Sequence, residues 1–140
     1  MQTDEIKRKT DRLRAYLDEL EPLLVLANEK ILADQMIIRT IERLFQLVVD
    51  EAVDINTLIL SDSPIESPES YRSTFYGLAE AKILERDFVD QISESAKLRN
   101  QVVHEYEKLK PVVLITKIKK QFPLFQQYLA MMIKKFVLKS

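Results

Sequence analysis

The chain has 140 residues, 46% of them apolar and 31% charged, and a formal net charge of −1; this is one domain's worth of sequence with enough apolar residues for a continuous core. It has no cysteine, which excludes a disulfide framework, thiolate metal sites and a cysteine nucleophile, and fits a reducing cytoplasm. Its single glycine, Gly77, leaves nothing for Gly-rich phosphate loops or for the tight turns of sheets, so the composition points to an all-α protein.

The opening MQTDEIKRKT is polar and lacks the apolar run of a secretory leader. A first helix is expected from near Asp4, with Ile6, Leu13, Leu17 and Leu20 on one side. Pro22 either kinks it or starts a new turn, which leaves residues 21–30 open. A second helix, about Asp34 to Leu60, carries Ile37, Ile41, Leu44, Val48, Ala52, Ile55 and Ile59 at spacings of three and four, widened by Ile38, Phe45 and Val49. At 1.5 Å per residue it is about 40 Å long, enough for the spine of a bundle. SDSPIESPES, residues 61–70, then breaks the pattern with two prolines and four serines. A third helix follows, about Glu69 to Lys82, with Tyr71, Phe75, Leu78 and Ala79. Helix four begins near Glu85 or Asp87 and continues through Arg99, and Pro111 opens a last helical region that Pro123 must kink or divide. The longest uncharged stretch there, QFPLFQQYLAMMI, is too short and too polar to span a bilayer. Four or five helices joined by short loops predict an antiparallel bundle, a single domain over residues 1–140.

Charge is uneven along the chain. Residues 97–140 hold ten Lys/Arg and two Glu, a balance of +8, whereas residues 1–96 hold eleven Lys/Arg and twenty Asp/Glu, a balance of −9. That asymmetry points to an anionic partner for the basic part, with Lys97, Lys108, Lys110, Lys117, Lys119 and Lys120 as candidate contacts to a phosphate backbone. Opposite charges meeting across one fold, with the lysines on a solvated face, is an equally good reading of charge alone.

RNQVVHEY, residues 99–106, contains the only histidine. On helix four, Val89, Ile92, Ala96, Arg99 and Val103 fall on one line, so Arg99 interrupts an apolar seam. A guanidinium there needs a wet cleft or a partner, and a salt bridge to Asp54 or Glu51 is the bland explanation. Asn100 and His104 are four apart and adjoin each other on the line Ser93–Lys97–Asn100–His104. Arg99 and His104 are five apart, about 140° around a regular helix, and converge poorly. Convergence requires a helix end near residue 102 or a second copy of the motif from a symmetric partner. Taken singly, a helical histidine is more often structural than catalytic, and Tyr106 reads as a helix-end cap. Asp50, Glu51 and Asp54 read as helical surface acids, not a catalytic metal site.

Together, Arg99, Asn100, His104 and Tyr106 give R-N-x-x-x-H-x-Y, which resembles the R-x4-H-x-Y signature of the HEPN superfamily, specifically its HepT-type toxins. The similarity covers nearly the whole chain in order. IIRTIERLFQLVVDEAVDI (37–55) resembles the family's long second helix, SPESYRSTFYGLAEAKIL (67–84) its third-helix block, and the Pro111-led helix its last. Two departures stand out: Lys82 replaces a glycine that ends the third helix in many relatives, and Thr57 follows Asn56 where a histidine is common.

The resemblance implies a metal-independent endoribonuclease toxin with no cofactor, acting as a homodimer whose cleft lies where two copies of helix four meet. It makes Arg99 and His104 catalytic, with Asn100 beside them. It also implies neutralisation by an MntA-type nucleotidyltransferase antitoxin that transfers AMP from ATP onto Tyr106. The residue types suit metal-free RNA cleavage, because imidazole can give or take a proton near neutral pH and a guanidinium can hold two phosphorane oxygens. One chain has one histidine where an acid and a base are both wanted, and a symmetric dimer supplies two. Two alternatives remain: a non-catalytic helical module that binds a nucleotidyltransferase partner, and a nucleic-acid-binding bundle without chemistry.

Overall fold

The computed structural model describes residues 3–104 and 109–138. Its α-helical segments are α1 (Thr3–Leu24), α2 (Asn28–Leu32), α3 (Gln35–Leu60), α4 (Tyr71–Glu80), α5 (Arg86–Ile92), α6 (Glu94–Val103) and α7 (Pro111–Met132), followed by a π-helical turn, Ile133–Val137. No strand occurs among the described residues, as an all-α bundle requires.

The long apolar stripe of α3 organises the molecule. Asp34 caps its start by accepting from the N–H groups of Met36 at 2.9 Å and Ile37 at 3.3 Å. Ile38, Ile41, Leu44, Phe45, Val48, Val49, Ala52, Ile55 and Ile59 are all buried, while Ile37 lies half-buried at the rim. The helix is amphipathic on a wide face, so α1, α4, α6 and α7 can all pack against it. Ile6, Leu13, Leu17 and Leu20 of α1 close one side of the core. Phe75 of α4 and Phe125 and Tyr128 of α7 meet Phe45 in a run of edge-to-face ring contacts, with centroids 6.2–6.4 Å apart. Truncating a fully buried ring such as Phe45 to alanine would cost about 3–5 kcal/mol.

A buried polar chain ties the same helices together. The Tyr128 hydroxyl donates to Asn56 Oδ1 at 2.6 Å, the Asn56 amide donates to Thr74 Oγ1 at 3.1 Å, and the Thr74 hydroxyl donates to the Tyr71 carbonyl at 2.7 Å. Every group in this chain has a partner, as burial demands. Gly77 has a packing reason: a Cβ there would sit 2.6 Å from Leu60 Cδ1, so any larger residue would have to push that buried side chain aside.

One boundary is corrected, and two that the prolines left open are fixed. Pro22 does not end the first helix, which runs on to Leu24 with the exposed ring in its last turn; the short α2 occupies part of the open region. Helix four is two segments, since Ser93 ends α5 and precedes α6, buried beside Asp90 and Tyr76. Pro123 does not divide the last helix. Its ring is exposed, and the flanking Phe122 and Phe125 are buried firmly enough to carry the helix across one missing N–H. No described helix is long and apolar enough to cross a membrane.

Candidate active site

The end of α6 decides whether Arg99 and His104 can act together. The helix stops at Val103, where two successive β-branched residues with poor helix propensity follow Gln101. Val102 is buried, and Val103, expected on the apolar seam, is 39% exposed. His104 is the first residue past the helix, with φ −104° and ψ 115°, and its N–H still bonds the Asn100 carbonyl at 2.9 Å. Its side chain therefore leaves an extended backbone at the helix end, exposed to solvent. The helix end anticipated near residue 102 is present one residue later.

Arg99 sits one and a half turns back, on the face that meets α3 and α4. Its Nε donates to Asp50 Oδ1 at 2.9 Å, and the guanidinium carbon lies 4.9 Å from the centroid of the Tyr71 ring. Nη1 is 3.4 Å from Asn100 Oδ1. The arginine side chain is 18% exposed and the aspartate 29%, so the pair lines the rim of the fold without being sealed in it. The Tyr71 hydroxyl is also bonded to Asp50; burial first, then the Asp50 carboxylate, pushes its pKa above the usual phenol value. Arg99 thus does pair with a carboxylate, though not with Asp54 or Glu51. Asp54 lies 3.7 Å from Lys9 and Glu51 lies 3.7 Å from Arg12, both on the side facing α1.

An arginine offers five N–H donors in a planar fork. Nε is taken by Asp50 and one Nη1 hydrogen lies near Asn100, which leaves the other Nη hydrogens without a protein acceptor among the described residues; an anion can take them. A depression of about 510 Å³ opens beside Arg99, lined by Tyr71, Arg72, Lys97, Asn100 and Gln101. Tyr106 and Lys108 lie outside the described residues.

The remaining lysines divide. Lys97, Lys117 and Lys120 are exposed and line a second cleft next to the first. Lys110 is exposed immediately ahead of Pro111 at the start of α7. Lys119 turns the other way: its ammonium donates to the Leu26 carbonyl at 2.9 Å and to Asn28 Oδ1 at 2.6 Å, tying α7 to the α1–α2 junction. Asp50 and Tyr71 are the participants that sequence reasoning missed. Nothing in local spacing marks Asp50, because its partner is 49 residues away.

Residues 13–132 match the model of the family described as ribonuclease HepT-like. A curated relative, the tRNA nuclease HepT of Aphanizomenon flos-aquae, is 33% identical over 127 residues, covering 86% of this chain and 84% of that protein. Among solved structures, a tri-AMPylated HEPN toxin of Shewanella oneidensis in complex with its MNT antitoxin superposes with a TM-score of 0.84 at 18% identity, covering 93% of this chain and 97% of the toxin. YutE, a cytosolic protein of unknown function from Bacillus subtilis, gives a TM-score of 0.80 at 13% identity, covering 96% of this chain and 90% of its own.

Proposed function

The chain belongs to the ribonuclease HepT-like family, and from that premise we propose that it is the endoribonuclease toxin of a toxin–antitoxin pair, cleaving RNA without a metal. One observation carries the reading. Arg99 is held at the rim by Asp50 and Tyr71, and the helix ends just beyond it, placing His104 on an exposed, extended backbone. A structural arginine–aspartate pair would not require an imidazole at the adjoining helix end.

The chemistry has a definite balance. A 2′-oxygen of RNA attacks the adjacent phosphorus, giving its proton to one imidazole. The P–O5′ bond breaks, and a second, protonated imidazole delivers a proton to the departing O5′. The guanidinium of Arg99 stabilises the phosphorane, and Asn100 supports it. Since each chain has a single histidine, the base and the acid come from two protomers of a homodimer. Val103, Val112 and Val113, exposed apolar residues at the end of α6 and the start of α7, suit the contact between them. The basic C-terminal third draws in the RNA backbone.

Control falls to a nucleotidyltransferase of the kind seen with the Shewanella toxin. Transfer of AMP from ATP onto Tyr106, two residues from His104, places a phosphodiester and a nucleoside beside the cleft, repelling and blocking RNA. The pair acts in the cytoplasm, where its substrate is. Purified protein in EDTA is expected to cut RNA, with Arg99→Ala and His104→Ala each abolishing cleavage. Cleavage that needs added metal, or that survives both substitutions, overturns the mechanism. Co-expression with the antitoxin followed by peptide mass spectrometry should find AMP on Tyr106; modification elsewhere, or equal silencing of Tyr106→Phe, removes that part.

A further inference from the structure

The second cleft lies between α5, α6 and α7 and has a volume of about 430 Å³, within the range of small-ligand pockets. We propose that it is a ribonucleotide subsite, holding one nucleotide of the RNA strand next to the scissile phosphate; the assignment of RNA as the ligand rests on the reading above.

Three features carry it. The first is charge. Lys97, Lys117 and Lys120 line the cleft, and none of them lies within ion-pair distance of a carboxylate among the described residues. The two carboxylates on the same walls are already matched. Asp90 accepts from the Tyr76 hydroxyl at 2.7 Å and from Arg86 at 3.3 Å, and Glu94 accepts from Arg72 at 3.1 Å. The lysines are therefore left to attract a phosphate from outside.

The second feature is Gln121, 8% exposed, in the cleft wall. Its Nε2 donates to the Gln91 carbonyl at 3.0 Å, which fixes the amide, since a flipped amide would set oxygen against oxygen. Oε1 has no protein donor among the described residues. Oε1 lies within the wall, so the exocyclic amino group of a base meets this unmatched acceptor once the Gln121 side chain turns toward the cleft. Leu98 and Leu124 give the apolar surface against which the base lies.

The third feature is continuity. Lys97 and Gln101 line both this cleft and the depression beside Asn100, so a strand leaving Arg99 crosses α6 directly into it.

The test uses the full-length protein and a non-cleavable 2′-O-methyl RNA hexamer, so that binding is read without turnover. Lys117→Ala/Lys120→Ala, at two exposed positions, is expected to weaken the hexamer about 10-fold or more and to lower the salt slope of binding by about 1.4, two single-strand phosphate contacts. Gln121→Met should weaken an amino-bearing base selectively, adenine or cytosine over uracil. Free 5′-AMP, with one phosphate, should compete far more weakly than the hexamer. Unchanged hexamer affinity in a natively folded lysine double variant overturns the subsite, as does 5′-AMP binding as tightly as the hexamer. If the hexamer binds through the lysines but wild type never cuts RNA, the subsite stands and the nuclease reading falls. Cutting without any effect of the lysines on binding gives the reverse.

Discussion

Arg99 and Asp50, 49 residues apart in sequence, form a 2.9 Å hydrogen-bonded ion pair beneath which the Tyr71 ring lies 4.9 Å from the guanidinium. The carboxylate fixes Nε and the guanidinium lies over the ring, so two independent contacts hold the fork in place. In the proposed nuclease this makes Asp50 a positioning residue. Asp50→Ala should lower kcat by about 10-fold or more, as loss of orientation does, with KM changed less. It should also cost about 1–3 kcal/mol of stability by leaving a partly buried guanidinium with one partner fewer. Asp50→Asn, which keeps an acceptor, should fall between the two. Steady-state RNA cleavage and urea unfolding of the three proteins check this, and an unchanged kcat in Asp50→Ala removes the positioning role.

A second carboxylate of α3 behaves oppositely. Glu51 is buried, its Oε2 has no hydrogen-bond partner among the described residues, and Arg12 lies 3.7 Å from its other oxygen. Burial pushes its carboxyl pKa up from the usual value of 4.5, more than the nearby Arg12 and Lys9 pull it down. With the folded pKa above the unfolded one, the folded state binds more protons between the two. This group's contribution to stability is therefore present at low pH and lost as pH rises through the raised value. Glu51→Gln should gain stability relative to wild type at pH 7.5 and lose that advantage at pH 4.5. Urea unfolding at both values decides it; an advantage independent of pH contradicts the account.

Lys82 holds the turn after α4 with φ 61°, the left-handed region that glycine enters freely and other residues do not. Lys82→Gly should therefore stabilise the protein by about 0.5–1 kcal/mol, read as a small rise in Tm. A fall in Tm would show that the lysine side chain contributes more than its backbone costs.

How far the sequence could be read follows from which interactions are local. The α3 stripe was legible because burial on a helix repeats every three or four residues, and Asp34 was legible as a start because capping is local. The prolines left kink and break open, because the cost of a missing N–H is local while the packing of Phe122 and Phe125 that carries the last helix on is tertiary. Ser93, helical in conformation, carries no breaking signal, yet α5 ends there. At the site, the motif residues were visible as types, and so was the need for a helix end. The identity of Arg99's partner was not, since Asp50, Glu51 and Asp54 look alike until α1 and α6 pack on different sides of α3. Lys119 likewise looked equivalent to its neighbours until its contact with Asn28 set it apart.

In the proposed nuclease Arg99 and His104 cut RNA by attack of its own 2′-oxygen, and the ends of the product report that chemistry. An RNA digested by wild-type protein in EDTA should carry a 2′,3′-cyclic phosphate and a 5′-hydroxyl at every new terminus, and a single 2′-deoxy substitution at the scissile nucleotide should abolish the cut. A 5′-phosphate with a 3′-hydroxyl, or undiminished cleavage at the deoxy position, would contradict it.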